Sequence, residues 1–565
     1  MEPQTKAPKT LGQAIDELIG ALSSIDEAIF TGDRLAFPGL SEANEIEVAV
    51  ELVPPPDPDR APPRKVRRSA ILGLVAATLI FLTPLAAYRP AIFHYYGLRD
   101  CYSNLREAHE EPGKLIQFCA SHARPIYGWL LEVSLRRIDT IRQLQWIRML
   151  SALLLGAISF ASYRLLRRIG WSVGSSLLLA LWLGLVPSAQ VMAGWAIGWP
   201  YSVAVLMALG AFALAEAALA AGPPGFSKVR QLLASVGLLA ASALVYQPNA
   251  LFYLVPLAAA LIARSGPRQR DHVCWVLRHV AVVVAGLSLA YAFMRGCYAV
   301  GIFHPSARIA FEAQWGEKLR WFITEPLPNA LSLFVINDNN GHDRIAYLAG
   351  ALAAGGFLIA GVALEWRHRG RARGLVWLAG LLGLPVLAFA VSLLAAERYA
   401  TYRTIFPLTG VLLCWLIASL RLSFGRMGSG VRRSGALLLI GLALLAARRR
   451  TYALLAVPQG NEWGLVLDGA KKVRLEEGRP DIFLIEPTPN DISTATIYHD
   501  EFGSLSTNSD WVPKEMFKRA MHDLHPQVPG LDQRYRFASG PRLPATGRFD
   551  VVIDLRELRS LRTEN

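Results

Sequence analysis

Apolar residues along the chain fall into blocks of roughly twenty, the length a helix needs to cross about 30 Å of hydrocarbon. The first block covers 69–88 and lies too far from the start to be a cleaved signal peptide, so it reads as a retained span. Further blocks follow at about 146–166, 172–192, 198–219, 231–247, 249–264, 278–300, 344–365, 374–394, 404–421 and 434–453. The pattern predicts a polytopic α-helical membrane protein with about eleven spans. Ahead of the first span, residues 1–68 combine an amphipathic stretch, "LGQAIDELIGALSSIDEAIF", with a proline-rich, extended linker, "VPPPDPDRAPPRK". Residues 89–145 form a long loop with helical patterning, and 69–457 make up the membrane core. From 458 to 565 the chain turns soluble: "DIFLIEP" and "FDVVIDL" predict buried strands and "VPKEMFKRAMHDL" a helix, hence a small α/β domain.

Composition agrees with the membrane reading. Of 565 residues, 53% are hydrophobic and only 18% charged, against about a quarter charged in soluble domains. The net charge of +14 raises the question of a nucleic-acid partner, but its distribution is topological. With a cytoplasmic amino terminus, the short inside loops hold 17 Lys and Arg against one Asp, and the short outside loops hold two Arg. That is the positive-inside asymmetry. "ARRR" (447–450), near the outer end of the last span, fits it poorly. There is no P-loop, dinucleotide fingerprint, C-x-x-C or H-E-x-x-H, which argues against an ATP-driven pump and a cytoplasmic nucleotide-sugar enzyme. Cys101 and Cys119 share the first loop, where an oxidising compartment would let them pair.

Candidate chemistry collects on the outside. Asp100, in "FHYYGLRDCYSNL", lies just past the first span among aromatics; a desolvated carboxylate there can serve as general base. Its bland alternative is a helix cap or a partner for Arg99. Arg124, Arg398 and Arg403 suit phosphate through the planar guanidinium fork, the alternative being snorkelling at the lipid boundary. The loop after the seventh span adds His304, Arg308, "FEAQWGEKLRWF" and "NDNNGHDR". Trp195, Trp199 and Tyr201 read as interfacial belt aromatics, and "YQPNA" as a tight turn between spans. His499, Asp500 and Glu501 are candidate metal ligands, but three adjacent polar residues more often make a turn. No metal is assigned.

Four patches, "GLRDCYSNLREA", "FCASHARPIYGWLLE", the "YQP" turn and "ERYATYRTIFPL", together with the layout of 65–450, resemble the GT-C superfamily of membrane glycosyltransferases. Its bacterial members decorate lipids, polysaccharides or proteins from polyprenyl-phosphate sugars. Many carry two adjacent carboxylates followed by an aromatic; Asp100 and Tyr102 fit that motif, whereas the second position here is Cys101. The resemblance implies a polyprenyl-phosphate-linked sugar donor, a glycan, lipid or protein acceptor, a surrounding of membrane lipid, and no nucleic acid. It implies Asp100 as the catalytic carboxylate, inversion at the anomeric carbon, and Arg99, Tyr102, Arg124, Arg398 and Arg403 as substrate-binding residues. It also implies a bacterial inner (plasma) membrane location, the carboxy terminus being periplasmic. A lipid-linked glycan flippase or exporter would share this topology but should place polar residues mid-span, and the spans here are nearly free of charge at their centres. A multispan polysaccharide polymerase is the other rival. An odd span count puts the carboxy terminus outside, so a periplasm-only reporter fused after Asn565 should be active; activity of a cytoplasm-only reporter there would overturn the topology.

Overall fold

The computed structural model describes residues 64–562 except 221–224, 265–268, 308–309, 338–343, 489–490, 492–500 and 546. The expected amino-terminal amphipathic stretch, most of the proline-rich linker, Arg308, His499 and Asp500 lie outside the described residues. Helix α1 (Arg64–Ile92) leads into three short helices, α2 (Cys101–Glu110), α3 (Lys114–Ser121) and α4 (Pro125–Leu135), where the sequence predicts a helical loop. The core follows as α5 (Leu144–Ile169), α6 (Val173–Leu183), α7 (Pro187–Gly194), α8 (Trp199–Leu219), α9 (Phe226–Ala250), α10 (Leu254–Ala263) and α11 (Gln269–Ala299). After two short helices, α12 (Trp315–Thr324) and α13 (Pro326–Leu331), come α14 (Arg344–Arg369), α15 (Arg371–Ala388), α16 (Ala390–Leu394), α17 (Phe406–Ser423) and α18 (Ser429–Arg450).

Among the described residues, eight helical runs are long and apolar enough to cross a membrane, nine if α6 and α7, bent by 48°, form one broken span. The difference from eleven has two sources. The apolar part of α1 is the shorter helix Ala77–Ile92. The expected spans 231–247 and 249–264 form one helical run, Phe226–Ala263, broken at Tyr246, whose φ of −158° and ψ of 107° leave the helical region. Contacts nevertheless carry this run up and back. Ser235 and Ser242 donate to Ala211 O and Ala204 O (2.7 Å each), and Asn249 Nδ2 donates to Tyr201 O (3.2 Å), so α9 climbs antiparallel to α8. Arg264 then pairs with Glu216 at the opposite end of α8 (2.8 Å). Small polar side chains bonding to a neighbour's backbone are a usual seam between membrane helices. A second seam joins α14 to α17, where a Cβ on Gly361 would sit 1.9 Å from Ser419 Oγ.

The arginines that the sequence assigns to inside loops gather at one end of the bundle and close helix termini. Arg373 donates to Leu261 O (3.1 Å) and Ile262 O (2.7 Å), the last carbonyls of α10, and pairs with Glu365 (3.0 Å). Trp171 Nε1 reaches Ala259 O (3.0 Å). The carbonyls of Leu261 and Ile262 have no intrahelical donor, and positive charge beside them is favourable.

At the other end, α18 runs on through a π-helical segment, Thr451–Ala456, into α19 (Val457–Ala470), a continuous helix that includes Pro458. A three-stranded parallel sheet follows, in order β2-β1-β3: β1 (Asp481–Ile485) in the centre, β2 (Arg536–Gly540) and β3 (Val551–Asp554) at the edges. Helix α20 (Val512–Leu524) makes the crossover that parallel pairing requires, and its Phe517 stacks on Phe537 of β2 at 4.9 Å. Strands β1 and β3 and helix α20 match the sequence expectation. Strand β2, "RFASG", has half-exposed edge positions and no apolar alternation to betray it.

The segment between α1 and α2 hangs on one buried side chain. Arg148, on α5, donates to Ile92 O (3.1 Å), Tyr96 O (2.9 Å) and His94 O (2.6 Å), and its guanidinium covers the Tyr96 ring at 4.2 Å. Arg148→Ala should strip three carbonyls of their donor, a loss on the order of 3 kcal/mol, read as a lower thermal unfolding midpoint in detergent. Arg148→Lys should fall between. An unchanged midpoint in the alanine variant would remove Arg148 as the anchor.

Candidate active site

Asp100 is presented by a backbone fixed from several directions. Tyr96 Oη donates to Gly194 O (2.6 Å), Trp195 Nε1 to Leu98 O (3.2 Å), and Tyr102 Oη to Gly97 O (3.1 Å). A Cβ at Gly97 would approach the Tyr102 ring to 2.9 Å, so that bond needs glycine. Arg99 has a φ of +43°, a region a side chain rarely occupies, and the structure holds it there. Its backbone N–H donates to Ser506 Oγ and its Nη2 to Ser504 Oγ, both at 2.8 Å. Those serines are set by α19: buried Glu462 accepts from Ser506 N and Thr507 N (2.9 Å each), and Gln459 Nε2 donates to Ser504 O (2.6 Å). The carboxy-terminal part therefore shapes the loop that carries Asp100.

Asp100 stands at the N-cap position just before α2, yet its side chain accepts no cap hydrogen bond. Nor does its carboxylate pair with Arg99 or with any other described residue. Burial pushes its pKa above the ordinary carboxylate range, opposed by the positive charges of Arg403 and Arg99 and reinforced by Glu501 and Glu107. A desolvated carboxylate with a raised pKa and no partner on its oxygens can act as a general base.

Arg403 arrives on the loop between α16 and α17. Buried Lys318 anchors that loop by donating to Ala395 O (2.7 Å) and Glu397 O (2.9 Å). Asn337 N to Tyr402 Oη (2.8 Å) and Ser188 Oγ to Tyr402 O (2.5 Å) complete the hold. Arg403 pairs with fully buried Glu501 (2.6 Å), donates to Tyr399 Oη (2.7 Å) and lies 4.4 Å over the Trp195 ring.

Arg124, at the start of α4, follows Ala123, whose φ is +59°. Gln247 of the "YQP" turn clamps this corner, donating to Ala123 O (2.8 Å) and accepting from Arg124 Nε (2.9 Å). The guanidinium covers Tyr246 at 4.6 Å, and its two terminal amino groups make no hydrogen bond among the described residues. Arg124, Arg403 and Glu501 all act electrostatically on Tyr246, and Arg124 and Asp100 on Cys119, whose thiol burial raises to about 12. Arg403 acts on Asp100 directly, while Arg124 shares Cys119 with Asp100 and Tyr246 with Arg403.

The other expected site residues fall elsewhere. Tyr102 is fully buried and stacks on Trp463 at 5.5 Å, so it supports the loop from inside. Arg99 points to the carboxy-terminal serines. Arg398 pairs with Glu317 (2.8 Å) and Gln314 (3.2 Å), neither of which contacts Asp100 or Arg403. Cys101 and Cys119 are free thiols. Sequence reasoning missed Arg148, Gln247 and Glu462, and took Glu501 for a turn residue. Only Arg148 carried a signal, a lone charge just inside an apolar segment. Among the described residues no group of three or more His, Cys, Asp or Glu is arranged to hold a metal ion.

No family model and no curated protein matches the sequence. Among solved structures, the Archaeoglobus fulgidus oligosaccharyltransferase tethered to an acceptor peptide aligns at 11% identity, over 83% of this chain and 64% of that one, with a TM-score of 0.39. Archaeal oligosaccharyltransferase AglB from Archaeoglobus fulgidus, in complex with an inhibitory peptide and a dolichol-phosphate, aligns at 12% identity over 79% and 64%, with a TM-score of 0.38. The chain spans less than two thirds of their length, and at these values the likeness assigns neither a fold family nor an activity.

The raised pKa of Asp100 has a consequence for stability. Its ionised form is the costly one in the fold, so the penalty is present above the raised pKa and vanishes once the carboxyl is protonated in both states, below its ordinary value. Asp100→Asn should therefore raise the unfolding midpoint at neutral pH. The gain should shrink as pH falls through the raised pKa towards the ordinary carboxylate value. A gain that persists in acid would assign the effect to packing.

Proposed function

We propose that the protein is a GT-C-type membrane glycosyltransferase, moving a sugar from a polyprenyl-phosphate donor to an acceptor hydroxyl on the face that carries Asp100. On the charge asymmetry of its loops, that face is the periplasmic side of a bacterial inner membrane. The observation that supports this reading best is Asp100 itself, half-buried, neither capping a helix nor paired, and within the field of Arg403 and Arg99. In the reaction Asp100 accepts the proton of the acceptor hydroxyl as its oxygen attacks the anomeric carbon. The bond from that carbon to the phosphate oxygen breaks, the electron pair leaves with the polyprenyl phosphate, and the centre inverts.

Arg124, with its uncommitted amino groups, and Arg403, beside Asp100, hold the donor phosphate. Donor binding would draw Arg403 from Glu501, since both anions need the same fork. Bidentate geometry matters here, so lysine is a poor substitute.

The test follows release of polyprenyl phosphate from a labelled polyprenyl-phosphate sugar by membranes containing the protein. Asp100→Asn should insert normally and lose about two to four orders of magnitude in rate, the range for loss of a general base. Arg124→Ala and Arg403→Lys should each weaken donor affinity about tenfold or more. Wild-type turnover by the Asn variant would end the reading.

A further inference from the structure

The three arginines at the end of α18 are the exception to the charge asymmetry, and the structure gives two of them a setting. Arg448 and Arg449 line a cavity of about 710 Å³ together with Leu445 of the same helix, Tyr452 and Ala453 beyond it, and Pro90, Phe93 and His94 at the end of α1. None of Asp100, Arg124, Arg403 or Glu501 lines it. Both arginines are exposed, and neither has an acidic or hydrogen-bonding partner among the described residues. Two adjacent guanidiniums without a counter-charge repel one another and favour an anion with several acceptor oxygens.

The rest of the cavity is apolar and continuous with two hydrophobic stripes. On α18, Leu438, Leu442 and Leu445 are exposed at spacings of four and three, one helix face, and that face ends at the arginines. On α1, Leu82 and Ala86 continue in the same way to Pro90 and Phe93 at the cavity wall. Phe93 and Tyr452 are 53% and 41% exposed, which places aromatic surface where chain and head group meet. His94 packs edge-on against Tyr452 at 5.6 Å, and burial together with Arg148 lowers its pKa, so at neutral pH it is a neutral ring able to donate one hydrogen bond. A water-soluble anion would satisfy the arginines but leave the apolar walls and stripes bare.

We infer that this groove between α1 and α18 seats a membrane lipid, its phosphate monoester head on Arg448 and Arg449 and its hydrocarbon along the exposed leucines of the two helices. The site is independent of the transferase reading, because occupancy needs no sugar and no turnover. Its size suits a head group with the first carbons of a chain.

Native mass spectrometry of the full-length protein, released from micelles doped with dioleoyl phosphatidic acid or phosphatidylcholine, reads the bound lipid directly. Wild type should retain phosphatidic acid about tenfold or more over phosphatidylcholine, a difference of about 1.4 kcal/mol. Arg448→Ala combined with Arg449→Ala should bring that preference close to parity. Tyr452→Ala, which keeps both charges and removes an apolar wall, should lower retention as well. Asp100→Asn should leave it unchanged. Undiminished preference in the double alanine variant would overturn the site. Displacement by inorganic phosphate at concentrations matching the lipid would overturn the lipid, leaving a simple anion site.

Discussion

Three carbonyls at the end of α1, Ile92, His94 and Tyr96, converge on one buried guanidinium, Arg148. A helix that stops at the membrane surface leaves its last carbonyls without donors, and water is scarce inside a packed bundle. Arg148 supplies the donors from a neighbouring helix and so fixes where the chain leaves the bundle. Every later feature of the candidate site depends on that exit. The strained Arg99, the bare Asp100 and the start of α2 follow within five residues of Tyr96.

The carboxy-terminal part completes what Arg148 begins. Glu462 sets Ser506 and Thr507, Ser504 and Ser506 hold Arg99, and Glu501 takes Arg403. Further contacts seal the same surface, Glu515 on Arg106 (2.8 Å) and Phe502 against Tyr402. Glu501 also brings a second carboxylate close to Asp100, from a segment 400 residues away in sequence, where the neighbouring position is Cys101. The two acids differ in state. Glu501 has an arginine in contact, while Asp100 has only the field of Arg403 and Arg99 and is left costly to ionise. That asymmetry separates a group that orders the site from one available to take a proton.

Much of the architecture was legible without coordinates. Hydrophobic length marked the spans, because hydrocarbon thickness is the same constraint for every helix that crosses it. Basic residues marked one face, and in the structure Arg264 pairs with Glu216 and Arg373 closes the end of α10. Strands β1 and β3 and helix α20 were readable because buried strands and amphipathic helices carry their own periodicity. Asp100, Arg124 and Arg403 were noticed as polar residues of the loops expected outside, and in the fold Arg403 acts electrostatically on Asp100.

What the chain order could not convey was partnership. Whether Asp100 caps a helix, pairs with Arg99 or stands alone depends on backbone angles and on Ser504 and Ser506, far along the sequence. Arg398 and Arg403 lie five residues apart and look equivalent, yet one turns to Glu317 and the other to Glu501. Tyr102 reads as a substrate-binding residue but is enclosed against Trp463. Composition and periodicity fix which residues belong in lipid, since that is a property of each segment by itself. Pairing of charges is a property of distance, and only tertiary packing sets distance.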